Sequence, residues 1–260
     1  RTLIHNATPL SKLSSLLGTL NGVLLAPEDR ALIKGGPALR RQFFDLLISQ
    51  AKPLYLHHLT RYLRAMKQRN SLLKKRVFTA IEAWEEQMAL SATALTHMRA
   101  ETLIEIERLG QTETLGTDRL QLHYSSAQAS TQEAHMLTHF FLKQFAKQRP
   151  RECELGTTLS GPHRDDFSIL LNEREARQFA SEGEQRSLVA ALKFAQWKWL
   201  ESLVDTPPIL CLDDLSLSFD RMRESALYQR LEKFGQTFIT MARPPSSPHY
   251  AIHIQNLCSA

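Results

Sequence analysis

The amino-acid sequence predicts an α/β protein with a large helical lobe. Three long helical patterns fill the first part of the chain, at 38–75 with a break near Pro53, at 78–109 and at 130–148. After Pro150 the pattern changes to short apolar runs separated by helices, and the runs at 208–212 and 237–240 indicate buried parallel strands. Apolar residues make up 43% of the 260 residues, which is enough for one large core or two smaller ones.

The composition also excludes several classes of protein. No apolar run approaches the roughly 20 residues that span a bilayer, so no membrane segment is predicted. The cysteines Cys153, Cys211 and Cys258 are odd in number and far apart, which argues against a disulfide framework or a cysteine zinc site. We therefore expect a reducing compartment, the cytoplasm. The chain begins at Arg1 with no signal-peptide pattern, so we expect it to begin inside a longer polypeptide.

Positive charge is concentrated in the first third of the chain. Residues 1–80 hold 14 Lys and Arg against 3 Asp and Glu, whereas 81–150 hold 6 against 9 and 151–260 hold 12 against 15. A net charge of +5 spread evenly would carry little information. The observed asymmetry favours a polyanionic partner, and nucleic acid is the leading candidate.

The densest positive charge lies on a predicted helix between His57 and Val77. Its apolar residues recur every three or four positions and define one face. The cations opposite or beside that face are Arg61, Arg64, Lys67, Arg69 and Lys75. These cations are predicted to contact DNA phosphates, with Arg40 and Arg41 as a second candidate site. The alternative is the solvated face of an ordinary surface helix.

The helical region contains an arm and ends at Pro150. The stretch 110–126 mixes Gly, Thr, Asp and Ser with few apolar residues, so it is predicted to be the turn between two antiparallel helices. Short β-type runs follow at 157–159 and 167–171. The predicted parts are a short N-terminal segment, 1–26, a helical lobe with its arm, 27–150, and an α/β part, 151–260.

A pair of carboxylates follows the buried strand at 208–212. Asp213 and Asp214 lie at the carboxyl end of a predicted parallel strand, where open α/β sheets bind ligands, and their burial would need a cation to offset it. Mg²⁺ on a nucleotide phosphate meets that need, with Asp213 holding the metal and Asp214 orienting or deprotonating the attacking water. The alternative is that the two carboxylates cap the next helix.

A second motif precedes a helix predicted at 185–203. In the segment 179–187 a Ser hydroxyl, a Gly that lets a backbone approach, and free amides at the helix start form an anion site suited to a γ-phosphate. Ser-x-Gly-x-Gln alone is a weak signal, because any capped helix start beside a glycine looks similar. Followed by a hydrophobic strand that ends in Asp-Asp, it has the layout of the signature motif and Walker B segment of an ABC-type ATPase.

Nearly the whole chain resembles the RecF family, bacterial DNA replication and repair ATPases related to the SMC and Rad50 proteins. Two stretches are specific to that family among ABC ATPases, Lys67 to Lys74 and Ser160 to Asp166. The resemblance continues in the segments Ala26–Asp29, Ile33–Pro37, Arg40–Asp45, Ser181–Arg186, Leu192–Lys193, Asp213–Asp214 and Gln236–Thr240.

The resemblance implies the C-terminal half of an ABC-ATPase-type P-loop NTPase sheet joined to a helical arm. Proteins of this family bind ATP and Mg²⁺ and form a homodimer when ATP is held between two subunits. They close on single- or double-stranded DNA, including junctions, and work with a RecR-type recombination mediator in DNA recombination, repair, replication-fork maintenance and the SOS response. The residues that match nucleotide-site positions are Ser181, Gly183, Gln185, Arg186, Asp220 and Thr240, the first three acting across the dimer interface. For the loop His163 to Asp166 we expect an Arg-Asp pair that fixes the signature loop.

The chain departs from the family pattern in three places. No GxxxxGK[ST] phosphate loop occurs, and the family carries it in a lobe that precedes the segment matching Arg1, so 1–26 is expected to be a remnant of that lobe. Leu217 stands where the family usually has Ser. Glu184 replaces the more common Gln and adds negative charge beside a phosphate site unless Arg186 compensates. We expect ATP hydrolysis in the full-length protein and none from this chain alone; the alternative is a non-hydrolysing DNA-binding or scaffold module.

Overall fold

The computed structural model describes residues 3–5, 8–10, 20–115, 118–125, 133–214 and 221–240. The helices are α1 (Ala31–Lys34), α2 (Pro37–Ala51), α3 (Pro53–Lys75), α4 (Ile81–Glu113), α5 (Ala134–Leu155), α6 (Ala176–Phe179), α7 (Glu182–Glu201) and α8 (Arg221–Leu231). The strands are β1 (Leu3–His5), β2 (Thr8–Leu10), β3 (Gly22–Leu25), β4 (Leu120–Ser125), β5 (Asp166–Leu171), β6 (Arg174–Glu175), β7 (Ile209–Leu212) and β8 (Thr237–Ile239). The predicted site residue Asp220 and the departure at Leu217 lie outside the described residues.

Three parallel strands form a sheet in the order β3-β7-β8. Val23 pairs with Leu210 and Leu25 with Leu212, and these four side chains are buried. Helix α7 packs against β3, and its long buried face explains why the strands are apolar. The predicted strands β7 and β8 are confirmed. The sequence did not predict β3, whose four residues form only a short apolar run.

The helical lobe is built mainly from α2 to α5. Pro53 separates α2 from α3, as predicted. Helices α4 and α5 run antiparallel, because Glu85 contacts Arg149 at one end and Thr93 contacts Thr138 at the other. The buried face of α5 carries Phe141 and Phe145. None of the helices in the described ranges is long and apolar enough to cross a membrane.

Two residues that were predicted to end helices lie inside them. Gly110 is within α4, and a Cβ there would lie 2.5 Å from Leu120 Cδ2, so the glycine allows β4 to approach the helix closely. Pro150 is within α5, which continues to Leu155. Its neighbours Arg149 and Glu152 form ion pairs with the adjacent helices, and these pairs hold the turn that a proline weakens.

The predicted turn at 110–126 is wrong, because its second half is strand β4. This strand pairs antiparallel with β5, from Leu120 opposite Leu171 to Ser125 opposite Asp166. The rings of Tyr124 and Phe167 are stacked with their centroids 4.9 Å apart, and this contact stabilises the pairing of β4 with β5. Residues 157–159, which were predicted to form a strand, form a loop instead. Its Thr158 N–H donates to Asn70 Oδ1 and its Leu159 N–H donates to Glu152 Oε1, both in the helical lobe. The antiparallel sheet has the order β4-β5-β6.

Candidate functional site

Asp213, Asp214 and Thr240 come together at the carboxyl edge of the parallel sheet. The Asp213 N–H donates to the Leu25 carbonyl at 2.8 Å, and the Thr240 N–H donates to the Leu212 carbonyl at 2.9 Å. The Thr240 hydroxyl donates to Asp213 Oδ1 at 2.5 Å and accepts the Asp214 N–H at 3.0 Å. Strand pairing therefore places the threonine against both aspartates.

The exposure of the two aspartates differs from the prediction. Asp213 is exposed and Asp214 is half-buried, because β7 ends at Leu212 and the chain turns at Asp214, whose φ is 50°. The argument that burial of the pair demands a cation is therefore wrong. The donor set still fits Mg²⁺, since an exposed carboxylate beside a hydroxyl leaves room for the waters and phosphate oxygens that this ion keeps. In the described ranges no three His, Cys, Asp or Glu side chains form an all-protein metal site.

Ser181 is the N-cap of α7 and forms a capping box with Glu184. The Ser181 N–H donates to Glu184 Oε2 at 2.7 Å, and the Ser181 Oγ accepts the Glu184 N–H at 3.4 Å. The hydrogen bond from Ser181 lowers the pKa of Glu184. The predicted anion site at this helix start is thus covered in part by the chain's own carboxylate.

The other signature residues have different surroundings. Gln185 is 1% exposed and its Nε2 donates to the Ala180 carbonyl at 2.7 Å, so it shapes the loop from within. Its assignment to contacts across a dimer interface is wrong for this conformation, because the side chain points into the core. Gly183 and Arg186 are half-buried, and a Cβ at position 183 would lie 3.3 Å from the Arg223 guanidinium.

Arg223 and Asp118 flank the signature loop and were not predicted. Arg223 Nη2 lies 3.7 Å from Asp118 Oδ2, and its positive charge contributes to the lowered pKa of Glu184. Burial raises the pKa of Asp118, and Arg223 opposes that rise. No local pattern announces this pair, because its members lie on separate elements far apart in sequence. Charge compensation at Glu184 therefore comes in part from Arg223.

The basic face of α3 is present with four of its five predicted cations. Arg61, Arg64, Lys67 and Lys75 are exposed. Arg69 is 0% exposed, so its assignment to DNA contact is wrong. Its Nε donates to Glu85 Oε1 at 3.0 Å and its Nη2 lies 2.7 Å from Glu152 Oε2. These two carboxylates offset the positive charge of Arg69, and the side chain can therefore be buried.

Arg40 and Arg41 do not form the second DNA site that the sequence predicted. Arg40 is 7% exposed, and its Nε and Nη2 each donate to Asp166 at 2.8 Å. Arg41 is half-buried and donates to the Asp165 carbonyl at 2.6 Å. Burial lowers the pKa of Arg41. Both side chains hold the loop before β5 and are not available to a phosphate backbone.

The loop His163 to Asp166 fixes the helical lobe to β5. Asp165 Oδ2 accepts the Tyr124 hydroxyl at 2.5 Å and lies 3.4 Å from Arg99 Nη1. His163 Nδ1 lies 2.6 Å from the Tyr62 hydroxyl, and burial lowers the pKa of His163 to about 4. The expected Arg-Asp pairs exist, but they bind α2 and α4 and not the signature loop. Arg99 has a signal in the sequence, because it lies four residues from both Leu95 and Leu103 on the buried face of α4.

Comparison with curated proteins gives relatives over nearly the whole chain, although no protein-family model matches it. The "DNA replication and repair protein RecF" of Protochlamydia amoebophila is 42% identical over 254 residues, which are 96% of this chain and 71% of the relative. The RecF of Chlamydia abortus is 36% identical over 94% of this chain and 68% of the relative. The RecF of Gloeothece citriformis is 34% identical over 92% of this chain and 69% of the relative.

Two solved structures have the same fold. One, named "Structure of the recombination mediator protein RecF-ATP in RecFOR pathway", has a TM-score of 0.85 and 26% identity over 93% of this chain and 68% of its own. The other, RecF-ATPrS of the same pathway, has a TM-score of 0.82 and 26% identity over 92% of this chain and 67% of its own. The mixed α/β fold with its parallel sheet is that of these ABC-ATPase-like structures. From the identities, the coverage and the shared fold, this chain belongs to the RecF family of DNA replication and repair proteins.

Proposed function

We propose that this chain carries the signature motif and the Walker B carboxylates of a RecF-type ATPase that binds DNA as an ATP-dependent homodimer. The observation that carries the proposal is the contact of Thr240 with both Asp213 and Asp214 at the carboxyl edge of the sheet. That edge is where open α/β sheets bind nucleotides. The similar solved structures are named as RecF with ATP, which supports ATP binding.

The two aspartates have separate roles in this proposal. Asp213 would hold Mg²⁺, and the ion, when bound, neutralises charge on the β- and γ-phosphates. The Thr240 hydroxyl fixes the Asp213 carboxylate through its hydrogen bond to Oδ1. Asp214, on the turn just beyond the strand, orients the attacking water and accepts its proton. Thr240 therefore links the position of one aspartate to the backbone of the other.

The signature loop acts on a nucleotide held by the second subunit. Ser181 is exposed at the start of α7, where its hydroxyl and the first backbone amides of the helix are placed for a γ-phosphate. Gly183 keeps the loop free of a side chain, and Gln185 and Arg30 hold it from within the subunit, the latter through an ion pair with Glu182 at 2.9 Å. The signature residues thus divide into Ser181 and Gly183, which face the partner, and Gln185, which supports them.

DNA binds in this proposal to the basic face of α3. Arg61, Arg64, Lys67 and Lys75 contact phosphates and not base edges, so binding is independent of sequence. The RecFOR pathway named for the similar structures supports a RecR-type mediator as partner. The place of action in this proposal is the cytoplasm, because the three widely spaced cysteines suit a reducing compartment. The process is recombinational repair, maintenance of replication forks and the SOS response.

The second candidate is a DNA-binding or scaffold module that does not hydrolyse ATP. It is favoured by one specific observation, the Glu184 carboxylate that covers part of the predicted anion site at the start of α7. The two functions differ in one measurable property, because only the ATPase releases phosphate from ATP.

The test is Asp214→Asn in the full-length protein, compared with Asp205→Asn, which removes the same charge from an exposed loop position. Hydrolysis is expected to fall at least about 100-fold for Asp214→Asn, since the amide accepts no proton, while ATP-dependent dimerisation persists. Phosphate release and sedimentation velocity measure the two properties. Equal loss of dimerisation and hydrolysis would make Asp214 structural, and a wild type that dimerises on DNA without hydrolysis would establish the second candidate.

A further inference from the structure

Helix α5 carries a row of basic side chains on the face opposite its core contacts. The row consists of His135, His139, Lys143, Lys147 and Arg151, spaced every four residues, and all five are exposed. The buried residues Leu137, Phe141 and Phe145 are offset from the row by about half a turn. The row therefore points away from the helical lobe along its whole length, about 24 Å at 1.5 Å per residue.

Three cations of this row, Lys143, Lys147 and Arg151, have no carboxylate partner among the described residues, whereas His135 at the start of the helix lies 3.2 Å from Glu133. In the part of the chain that the structure describes, Lys143, Lys147 and Arg151 make no ion pair, whereas Arg149 on the same helix contacts both Glu82 and Glu85. Among the described residues, carboxylates therefore pair with α5 only on its inner face and at His135 near its start.

The stability of the helix does not explain the row. Like charges four residues apart destabilise a helix, and Lys143, Lys147 and Arg151 form two such pairs. The helix macrodipole favours cations only in the last turn, and α5 has none in its last turn. A run of unpaired cations that costs helix stability is consistent with a partner that supplies the negative charge.

The helix that carries this row packs beside α3, the helix that carries the other basic face. Arg69 of α3 donates to the Phe145 carbonyl of α5, and Lys74 lies beside Gly156, so the two helices pack together and run parallel. Apart from these two helices and the Arg76 that ends α3, the described Lys and Arg side chains without a hydrogen bond, ion pair or ring contact are Arg177 and Lys233. Unpaired positive charge is therefore gathered on two adjacent parallel helices.

We infer that α5 is a second DNA-binding element, on which Lys143, Lys147 and Arg151 contact the phosphate backbone. The inference rests on the proposed function, since it extends the DNA surface of α3 onto the neighbouring helix. Phosphate contacts fit this row because it has one sign of charge and a regular spacing of four residues. The net negative charge of residues 81–150 does not reveal this basic row, because the acidic residues of that segment lie mostly on α4 and outnumber the cations of α5.

The experiment measures the affinity of the full-length protein, with ATP, for a fluorescently labelled mixed-sequence duplex at several salt concentrations. Lys143→Gln/Lys147→Gln is compared with the matched control Arg177→Gln/Lys233→Gln, which also removes two unpaired exposed charges, and with Arg61→Gln/Arg64→Gln on α3. We expect the slope of log affinity against log salt to fall by up to about 1.8 for the α5 pair, at about 0.9 per phosphate contact, and to stay unchanged for the control. Circular dichroism of each variant confirms that the exposed substitutions leave the helices intact.

The outcomes separate this inference from the proposed function. If the α3 pair lowers the slope and the α5 pair behaves like the control, α5 is not a DNA element and the proposed function stands. A slope unchanged in both pairs, with DNA still bound by the wild type, overturns both DNA surfaces. No binding by the wild type with ATP overturns DNA binding itself, and this inference with it. An equal fall in the control pair shows a general charge effect and also refutes the inference.

Discussion

Two groups of polar residues in this protein differ in how fully the chain satisfies them. The Arg69 cluster, formed by Arg69, Glu85, Arg149, Glu152 and Thr158, is largely buried between α3, α4 and α5. The edge site, formed by Asp213, Asp214 and Thr240, lies at the ends of strands, and two of its three members are exposed. The cluster directs its hydrogen bonds inward, whereas the edge site keeps carboxylate acceptors at the surface.

The difference teaches how to separate structural from functional charge in this family. The stretch around Arg69 and the Asp213-Asp214 pair both belong to the segments that resemble RecF, so the resemblance alone gives them equal weight. The structure gives Arg69 hydrogen bonds to Glu85, Thr158 and the Phe145 carbonyl, all within the chain. A buried and paired charge is a fixed part of the packing, and an exposed, lightly bonded one is available to a ligand. Three substitutions probe this distinction, and the largest effect is expected in the cluster.

Arg69→Ala is expected to destabilise the fold by about 3–5 kcal/mol, because it leaves the carboxylates of Glu85 and Glu152 buried with less compensation. Arg61→Ala on the exposed side of the same helix is the matched control, with an expected change within about 0.5 kcal/mol. Urea unfolding followed by circular dichroism measures both. Similar losses for the two variants would remove the distinction between the faces of α3.

The pH dependence of stability sharpens the comparison at His163. Burial lowers its pKa from 6.5 to about 4, so at pH values between these two the unfolded chain binds the proton more strongly than the folded chain. The contribution of the neutral imidazole to the free energy of unfolding is complete above pH 6.5 and is lost as the pH falls towards 4. The loss is about 3 kcal/mol, since each pKa unit of the shift corresponds to about 1.36 kcal/mol. His163→Gln is expected to flatten the dependence of the urea midpoint on pH across this window.

The control for this prediction is His57→Gln, which changes an exposed imidazole on α3. The difference between wild type and variant isolates His163 from Asp165, whose pKa burial raises and whose contribution has the opposite sign. An unchanged slope in His163→Gln would show that folding does not lower the pKa of the imidazole.

The smallest effect is expected at the start of α7. Glu184→Gln keeps the capping box, because an amide oxygen also accepts the Ser181 N–H, but it removes a negative charge from the helix start that is proposed to meet a phosphate. ATP-dependent dimerisation of the full-length protein is expected to strengthen about two- to fivefold, equivalent to about 0.3–1 kcal/mol. Glu182→Gln removes the same charge from the same turn without touching Ser181. Sedimentation equilibrium would contradict the prediction if the Glu182 variant gave the same gain.

The sequence predicts the elements whose patterns are local. The long helices and strands β7 and β8 each depend on residues within one element, and the structure has them. Strand β4 escapes prediction because its alternation, with Leu120 and Leu122 inward, is embedded among polar residues and becomes stable only by pairing with β5. Gly110 escapes for the same reason, since the close approach that requires it comes from β4.

The site is predicted less completely than the fold. The strand end correctly places Asp213 and Asp214, and the resemblance identifies Thr240, but neither gives the exposure of Asp213. The burial of Arg69 and Arg40 depends on carboxylates from other elements, Glu85, Glu152 and Asp166. Helical periodicity shows which face of a helix carries a charged residue, but the partner of that residue is known only once the other elements are placed in the fold. Arg223 has no signal in the sequence at all.

The parallel pairing of β3 with β7 has a consequence for the order in which the protein is made. Leu25 and Ile209 belong to neighbouring strands of one sheet, and the helical lobe is translated between them. At about 5–20 residues per second, roughly 10 to 40 s separate the synthesis of the two strands. During that interval α2 to α5 emerge with their contacts complete apart from those with later elements, while β3 still lacks its partner strand β7. Of the elements described in these 260 residues, the helical lobe can therefore fold before the parallel sheet, whose carboxyl edge is assembled last.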